Sequence, residues 1–529
     1  VKAPTETEHT YGHYGGMLVD AVPLKGCEQA APERFGELLL LLGNIEISDF
    51  TATTLRTFRG ETAEILADGS DGGPAKLRIH GVDDRFWLVE LTLIAEAAKS
   101  GKAKSRTKPL NVKLAIDYTL HPDRAAVQMD LVVINQTPDK RELHVGAAAF
   151  VDDSTKQQIW SGGSIGAGGF SLRTGLPWLA GSATGGAIAI AVDAKNLGTA
   201  RISGVDALVP IDQLSDPLVM GPKGTASGGD TDSQTFWIGV GPTDSASAVG
   251  ALEGLKVGGQ TWAGVDVVGS VVDVVTGGAV AAAKVVLQRR NNAGEYRDLL
   301  SERSDAAGAF KIRVPKLGKA GDLRLQAVKQ GRESGSPTVL SAAVLEPASE
   351  PPLDPTHSVV LSIGAEGAIE HAVVDEADAH IPARMLLVNK KTKAQHLGFA
   401  TGKPDTWAVP PGNYTLYITR GYTHQPWASS VEVKAGKATK VTAKLPKVID
   451  TAGWMAFDNH VHSGPSPDST VPLASRYQSA AAEGLEVVVH SEHEIIIDSS
   501  PHLKASGVGA WVRGVAGQEV TASLPEHTN

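Results

Sequence analysis

Short apolar–polar alternations, cut at close intervals by Gly and Pro, run through most of this chain and leave little room for helices. Of its 529 residues, 58 are Gly and 29 are Pro. Val/Thr/Ile alternation at period two marks half-buried strands. Leu77 to Ile79, Phe86 to Ile94, Val112 to Leu120, Ala126 to Asn135, Arg141 to Phe150, Ala187 to Val192 and Ser233 to Val240 all read this way. His121-Pro122-Asp123-Arg124 and Gln136-Thr137-Pro138-Asp139 read as hairpin tips between neighbouring strands. The pattern predicts a large antiparallel β-sandwich over residues 1–258. A chain this long exceeds one core and calls for roughly three or four domains.

The texture changes over residues 264–346. Val267 to Asp273, Thr276 to Val280 and Ala283 to Leu287 alternate around a Gly277-Gly278 turn, and Ser304-Asp305-Ala306-Ala307-Gly308-Ala309 precedes a strand over Phe310 to Val314. This segment is similar to the carboxypeptidase-regulatory-like sandwich, a small prealbumin-type module. Residues 347–356 hold four prolines in ten positions, which predicts a semi-rigid, extended linker. Residues 357–446 repeat the small-sandwich texture, with strands over Ser358 to Ile363, Ala383 to Asn389, Asn413 to Thr419 and Ser430 to Val433. Val409-Pro410-Pro411-Gly412 forms a turn that sends Tyr414 and Leu416 inward. The expectation is two Ig/prealbumin-like modules in tandem, repeated in fold more than in sequence.

Residues 453–529 differ in kind. Asp458-Asn459-His460-Val461-His462-Ser463 follows an apolar run and puts two imidazoles on one side of a strand end, because residues i and i+2 share a face. Asp458 shares that face and could hold a ring N–H. Pro472 to Glu483 reads as a helix, with Leu473, Tyr477, Ala480 and Ala481 as its apolar stripe and Gly484 as its stop. Leu485 to Val489 reads as a buried strand that runs into His490-Ser491-Glu492-His493, and Trp511 to Ala516 runs into Gly517-Gln518-Glu519. Successive strands thus deliver His or carboxylate at their C-terminal ends, the face on which α/β barrels build sites.

On these residues the segment resembles the start of a PHP-type metallohydrolase barrel, in its CehA/McbA branch. The resemblance is carried by Asp458 to Ser463, Ser466-Pro467-Asp468, Glu483-Gly484-Leu485, Glu492-His493, Gly517-Gln518-Glu519-Val520-Thr521 and Glu526-His527-Thr528-Asn529. Glu492 stands where the family has Asp, and Glu526 where it has Gly. The likeness implies the first βα units of a (β/α)7 barrel, with His460, His462, Asp468, His493, Glu519 and His527 as metal ligands. It implies divalent ions (Zn, Mn or Fe), about two or three when the barrel is complete, and hydrolysis of phosphoesters or related esters. Glu519 would bridge ions, and Glu492 or His490 would assist proton transfer. The chain ends at Asn529, after the third strand of that barrel, so the expected partner is the C-terminal remainder of the same precursor; activity is expected to need it, and this polypeptide alone is expected to be weakly active or inactive. The N-terminal region loosely resembles the sandwich that precedes PHP domains, on Gly15 to Ala21 and Asp68 to Gly73, and this bears on fold alone.

The net charge of −10 and pI near 5.9 argue against nucleic acid and against an anionic membrane surface. Cys27 is the one cysteine, so no internal disulfide forms. No apolar run approaches the roughly eighteen residues of a transmembrane segment. A homo-oligomer is compatible with the chain, and the expected setting is secreted, periplasmic or cell-surface. His357, His371, His380, His396 and His424 read as ordinary residues of β modules. Trp407, Trp427 and Tyr422 read as core packing rather than a sugar platform. Asp152, Asp153 and Asp230 read as turn residues rather than a calcium loop. The alternative function is an extracellular, non-catalytic binding or assembly protein with a relic metal segment.

Overall fold

The computed structural model describes residues 36–43, 56–85, 110–151, 159–160, 173–174, 178–183, 186–192, 197–202, 205–210, 218–257, 260–291, 294–315, 321–341, 345, 358–464, 469, 471–492 and 496–519. The expected strand from Phe86 to Ile94, the segments Gly15 to Ala21 and 347–356, and Asp152 and Asp153 lie outside them. The chain is a mainly β, multidomain protein.

The N-terminal strands form one fourteen-stranded sheet. Every described pairing in it is antiparallel. Strand Gly186–Val192 shows how period two loads both faces. Ile188, Ile190 and Val192 join Phe58, Ile116, Met129 and Phe236 on one side. Ala187, Ala189 and Ala191 join Trp178, Trp237 and Trp262 on the other. His121 to Arg124 is the expected hairpin tip, closed by Arg124 N–H donating to the His121 carbonyl. Gln136 to Asp139 is not one: Ala126–Asn135 and Arg141–Val151 are not neighbours, and the latter pairs with Gly36–Gly43 instead. The buried Asn135 amide holds this crossover by donating to the carbonyls of Asp139 and Gly221, at 2.6 and 2.7 Å. Asp230 accepts from Gly224 N–H, as a turn residue does.

A short helix, Ser245–Gly250, capped by the buried Asp244, closes the sheet against the first small sandwich. That sandwich has strands Gly264–Asp273, Lys284–Arg290, Tyr296–Arg303, Ala309–Pro315, Leu323–Val328, Thr338–Val339 and Ser358–Ile363. The first strand lies between the fourth and the seventh; the other four run third, second, fifth, sixth. The second sandwich has strands Ala368–Val374, Pro382–Asn389, Gln395–Thr401, Asp405–Ala408, Gly412–Thr419, Trp427–Val433 and Ala438–Lys444, in the same order. In both modules the seventh strand pairs in parallel with the first.

This repeat moves an expected boundary. Ser358–Ile363, read from sequence as the start of the second small sandwich, is the last strand of the first. Its alternation decides the matter, because Val359, Leu361 and Ile363 all face the first module's core. Tyr414 and Leu416 enter the second core as expected, and Tyr414 donates its hydroxyl to the Pro410 carbonyl at 2.9 Å. Trp407 and Trp427 pack on that core. Tyr422 does not: it is 96 % exposed, because its loop turns outward where Thr423 takes the N–H groups of Val448 and Ile449.

Arg332 joins the modules. It pairs with Asp273 at 2.5 Å and Glu366 at 3.2 Å, and donates to the Gly364 carbonyl. Hydrogen bonds from the Thr276 backbone, then the Arg332 guanidinium, hold the Asp273 carboxyl down at about 2. A depressed carboxyl stabilises the fold above its unfolded value, and that contribution fades as the pH falls toward 2. Asp273→Asn should therefore cost about 2 kcal/mol at pH 7, the range for a hydrogen bond to a charged group. In thermal melts the difference from wild type should vanish near pH 2; a pH-independent difference would refute the pairing.

The last segment is a three-stranded parallel sheet, in the order Phe457–Val461, Val487–His490, Arg513–Ala516. Helix Leu473–Ala482 covers one face, burying Leu473, Tyr477, Ala480 and Ala481, the stripe read from the sequence. The back of that helix rests on strands Pro382–Asn389 and Gln395–Thr401 of the second sandwich. Arg420, buried, donates to the carbonyls of Pro382 and Ala481 at 2.8 and 2.6 Å, and its guanidinium lies 5.1 Å from the Trp511 ring centre. Trp511 packs on both cores. No helix among the described residues is long and apolar enough to cross a membrane.

Candidate metal centre

His460 and His462 flank Val461, which is buried. Period two therefore turns both imidazoles away from the core. The parallel ladder breaks between Asp458 and Val461, and Asp458 fills the gap by accepting from the His460 backbone N–H at 3.1 Å. It thus fixes the main chain of the tip rather than an imidazole ring.

Glu519 arrives from the other edge of the sheet, just past Arg513–Ala516. Gly517 makes the turn possible: a Cβ there would lie 2.7 Å from Val489 Cγ1 and 3.0 Å from the His490 carbonyl oxygen. The three side chains close a triangle. His460 Nε2 lies 2.8 Å from His462 Nε2 and 2.8 Å from Glu519 Oε2, and His462 Nε2 lies 3.1 Å from Glu519 Oε2. These three are the one group of metal-capable side chains that converges among the described residues.

The donor set fits a divalent ion. Two imidazoles and a carboxylate with no thiolate suit Zn²⁺, Mn²⁺ or Fe²⁺. Cis ligands at about 2.1 Å from a common centre stand about 3.0 Å apart in octahedral geometry and about 3.4 Å apart in tetrahedral geometry. Edges of 2.8–3.1 Å bring all three donor atoms within reach of one such centre. Asp468, His493 and His527, the other expected ligands, lie outside the described residues.

The middle strand contributes scaffolding. Glu492 is fully buried, and both carboxylate oxygens accept from the Ser463 N–H, at 3.1 and 2.9 Å. The Ser463 hydroxyl donates to the same carboxylate. The Glu492 carbonyl accepts the Glu519 N–H at 3.0 Å. One residue thus ties the segment after His462 to the segment that carries Glu519. The proton-transfer role read for Glu492 from sequence does not match this place, since its acceptors are occupied inside the protein. The extra methylene of Glu over Asp gives it the reach to Ser463.

His490 is likewise fully buried, edge-on to Tyr477 with ring centres 4.9 Å apart and Nδ1 3.5 Å from Glu492 Oε1. Strand alternation sends it, with Val488, into the sheet–helix core, so it too is displaced from the expected role. Neither ring nitrogen has a hydrogen-bond partner among the described residues. Tyr477 in turn donates to Ser499 Oγ at 2.6 Å. Sequence reasoning missed the Ser463–Glu492 tie, although the serine directly after His462 was its visible half.

Glu492→Gln should weaken Mn²⁺ or Zn²⁺ binding by about 10–100-fold, the usual effect of losing a group that orients ligands. Isothermal titration would read the loss. Unchanged affinity in a folded variant would show that the tie does not position the ligands.

No family model matches the sequence, and no curated protein matches it. Solved structures do show local likeness. A shaft pilin SpaA from Lactobacillus rhamnosus GG aligns with 10 % identity and TM-score 0.21 over 35 % of this chain and 99 % of its own. The Bacillus anthracis TIE protein aligns with 9 % identity and TM-score 0.15 over 67 % of this chain and 57 % of its own. An α-mannosidase from Enterococcus faecalis aligns with 10 % identity and TM-score 0.24 over 39 % of this chain and 26 % of its own. Scores of this size carry no argument about activity.

Proposed function

We propose that this chain carries the metal centre of a PHP-type hydrolase acting on phosphoesters or related esters. The observation that supports it is the His460–His462–Glu519 triangle at the C-terminal ends of parallel strands. A bound divalent ion would supply a Lewis acid and a water acidic enough to yield hydroxide near neutral pH. The chain's own residues do the rest. The two imidazoles offer neutral donors and Glu519 offers the anionic one. The exposed His460, with 58 % of its side chain accessible, leaves that edge open to substrate. Glu492 keeps both ligand-bearing tips in register.

The test is turnover of bis-p-nitrophenyl phosphate and p-nitrophenyl acetate by chelator-stripped protein, with Mn²⁺, Zn²⁺ or Fe²⁺ added back. Activity that disappears on stripping and returns with the ion supports the reading. Protein that binds none of these ions would end it.

A second reading is a cell-surface or secreted binding or assembly protein, favoured by the two tandem sandwiches of identical strand order. It expects metal-free protein that self-associates, which sedimentation and elemental analysis would distinguish.

A further inference from the structure

The N-terminal sheet and the first small sandwich meet at a joint built from two short runs, Thr243-Asp244-Ser245 on one side and Ser301-Glu302-Arg303 on the other. The first run links strand Thr231–Gly241 to helix Ser245–Gly250. That helix is pressed onto the sheet, since Gly239 and Gly241 leave room for no Cβ against the Ala248 backbone. The second run closes strand Tyr296–Arg303 of the sandwich. Hydrogen bonds cross between the two. The Ser301 N–H donates to Ser245 Oγ at 2.9 Å, the Ser301 hydroxyl to Asp244 Oδ1 at 2.7 Å, and the Thr243 hydroxyl to Glu302 Oε2 at 3.0 Å. One apolar core runs beneath them, from Trp178 and Ala189 of the sheet to Val285 and Leu300 of the sandwich.

Two carboxyls are buried in this joint, one from each side, and they are served unequally. Asp244 caps the helix by accepting the Ser245 N–H at 2.7 Å, and Arg303 Nε stands 3.7 Å from its other oxygen. Lys284, opposite Arg303 across the strand pair, is drawn to Asp244 as well. Glu302 accepts from uncharged donors, the Thr243 hydroxyl and the Arg303 backbone N–H at 2.8 Å. Its charged neighbours are Asp244 and the Arg303 guanidinium, and the latter is paired with Asp244.

The other elements packed on this strand bring Glu302 no counter-charge among the described residues. Strand Lys284–Arg290 places Val285 opposite it. On strand Ala309–Pro315, Lys311 and Arg313 are committed to Asp266 and Glu253. Strand Ile159–Trp160 carries no charged residue. A carboxylate taken out of water without a cation is disfavoured, and the neutral acid gains. Burial, reinforced by the Asp244 charge, outweighs the two hydrogen bonds and pushes the Glu302 carboxyl up to about 7. The Thr243 hydroxyl can donate to the carboxylate or accept from the acid, so it serves both forms.

We propose that this joint is a pH-operated latch: protonated Glu302 holds the sandwich against the N-terminal sheet, and ionised Glu302, buried beside Asp244, loosens it. A carboxyl raised in the closed joint regains its ordinary value, about 4.3, once water enters. The closed form is therefore strongest in acid, weakens as the pH climbs toward about 7, and changes no further above it. This is the reverse of Asp273, whose depressed carboxyl stabilises the fold at neutral pH and not in acid.

The test is hydrogen exchange of the full chain, in EDTA so that the metal centre takes no part, read at the amides of helix Ser245–Gly250 and strand Tyr296–Arg303 and corrected for the intrinsic effect of pH on exchange. Between about pH 5 and 8 their protection should fall roughly a hundredfold. Glu302→Gln keeps the shape and cannot ionise, so it should hold the acid level of protection throughout. Infrared difference spectra of the wild-type chain should show a carboxylic-acid carbonyl band vanishing over the same range. Wild-type protection that ignores pH, a Glu302→Gln chain that loses protection as the wild type does, or the absence of that band would each overturn the proposal.

Discussion

His460→Ala combined with His462→Ala should leave a folded protein that retains no divalent ion and turns over no ester above background. Losing two of the three donors that converge among the described residues costs far more than the about 10–100-fold of a supporting residue. The fold should be untouched, because both rings sit at the strand tip outside the core and neither takes part in the packing around Tyr477. Elemental analysis per chain, read beside circular dichroism, separates the two effects. Full metal occupancy with unchanged turnover would remove the site assignment. A collapse of the dichroism spectrum would show that the tip has a structural task instead.

Arg420→Ala should destabilise the C-terminal half by about 3 kcal/mol or more. The substitution removes a charged donor from the Pro382 and Ala481 carbonyls, the second of which keeps the Gly484 N–H, and each hydrogen bond from a charged group is worth about 1.5–3 kcal/mol. It also removes packing against Trp511. Burial already pulls the Arg420 guanidinium down to about 10, a sign of how dry this junction is. Urea denaturation followed at the tryptophans would give the loss. Limited proteolysis should show new cleavage between residues 446 and 457, where helix Leu473–Ala482 comes away from the sandwich. Wild-type stability would mean that the two units fold without each other's help.

Much of this architecture is legible in the sequence. Period-two alternation located Val112–Leu120, Ala126–Asn135 and Gly186–Val192 to within a residue or so, because each strand buries alternate side chains and the alternation is the burial. The stripe of Leu473, Tyr477, Ala480 and Ala481 was legible for the same reason at helical period. Strand partners were not. Nothing local tells Ser358–Ile363 to pair with Gly264–Asp273 across an intervening proline-rich stretch, and nothing local sends Arg141–Val151 to Gly36–Gly43. At the candidate metal centre the converging pair His460 and His462 is visible in its spacing, and Glu519 in its place after a third apolar run. The duties of Glu492 and His490 were hidden because they depend on which face of the middle strand each occupies. Tyr422 failed for a related cause: aromatic character argues for burial, but its loop leaves the sheet before the ring can turn inward.

The parallel pairing of first and seventh strands has a consequence for anyone who would dissect this protein. The proline-rich stretch at 347–356 looks like the natural place to cut, yet it joins the sixth and last strands of a single module. A fragment ending there would lack its closing strand and expose the bare edge of Gly264–Asp273. The complementary fragment would begin with an orphan strand whose apolar side has nowhere to go. Cuts placed after Ile363 respect the closed units, and a synthetic Ser358–Ile363 peptide is the piece that the shortened fragment would be waiting to recapture.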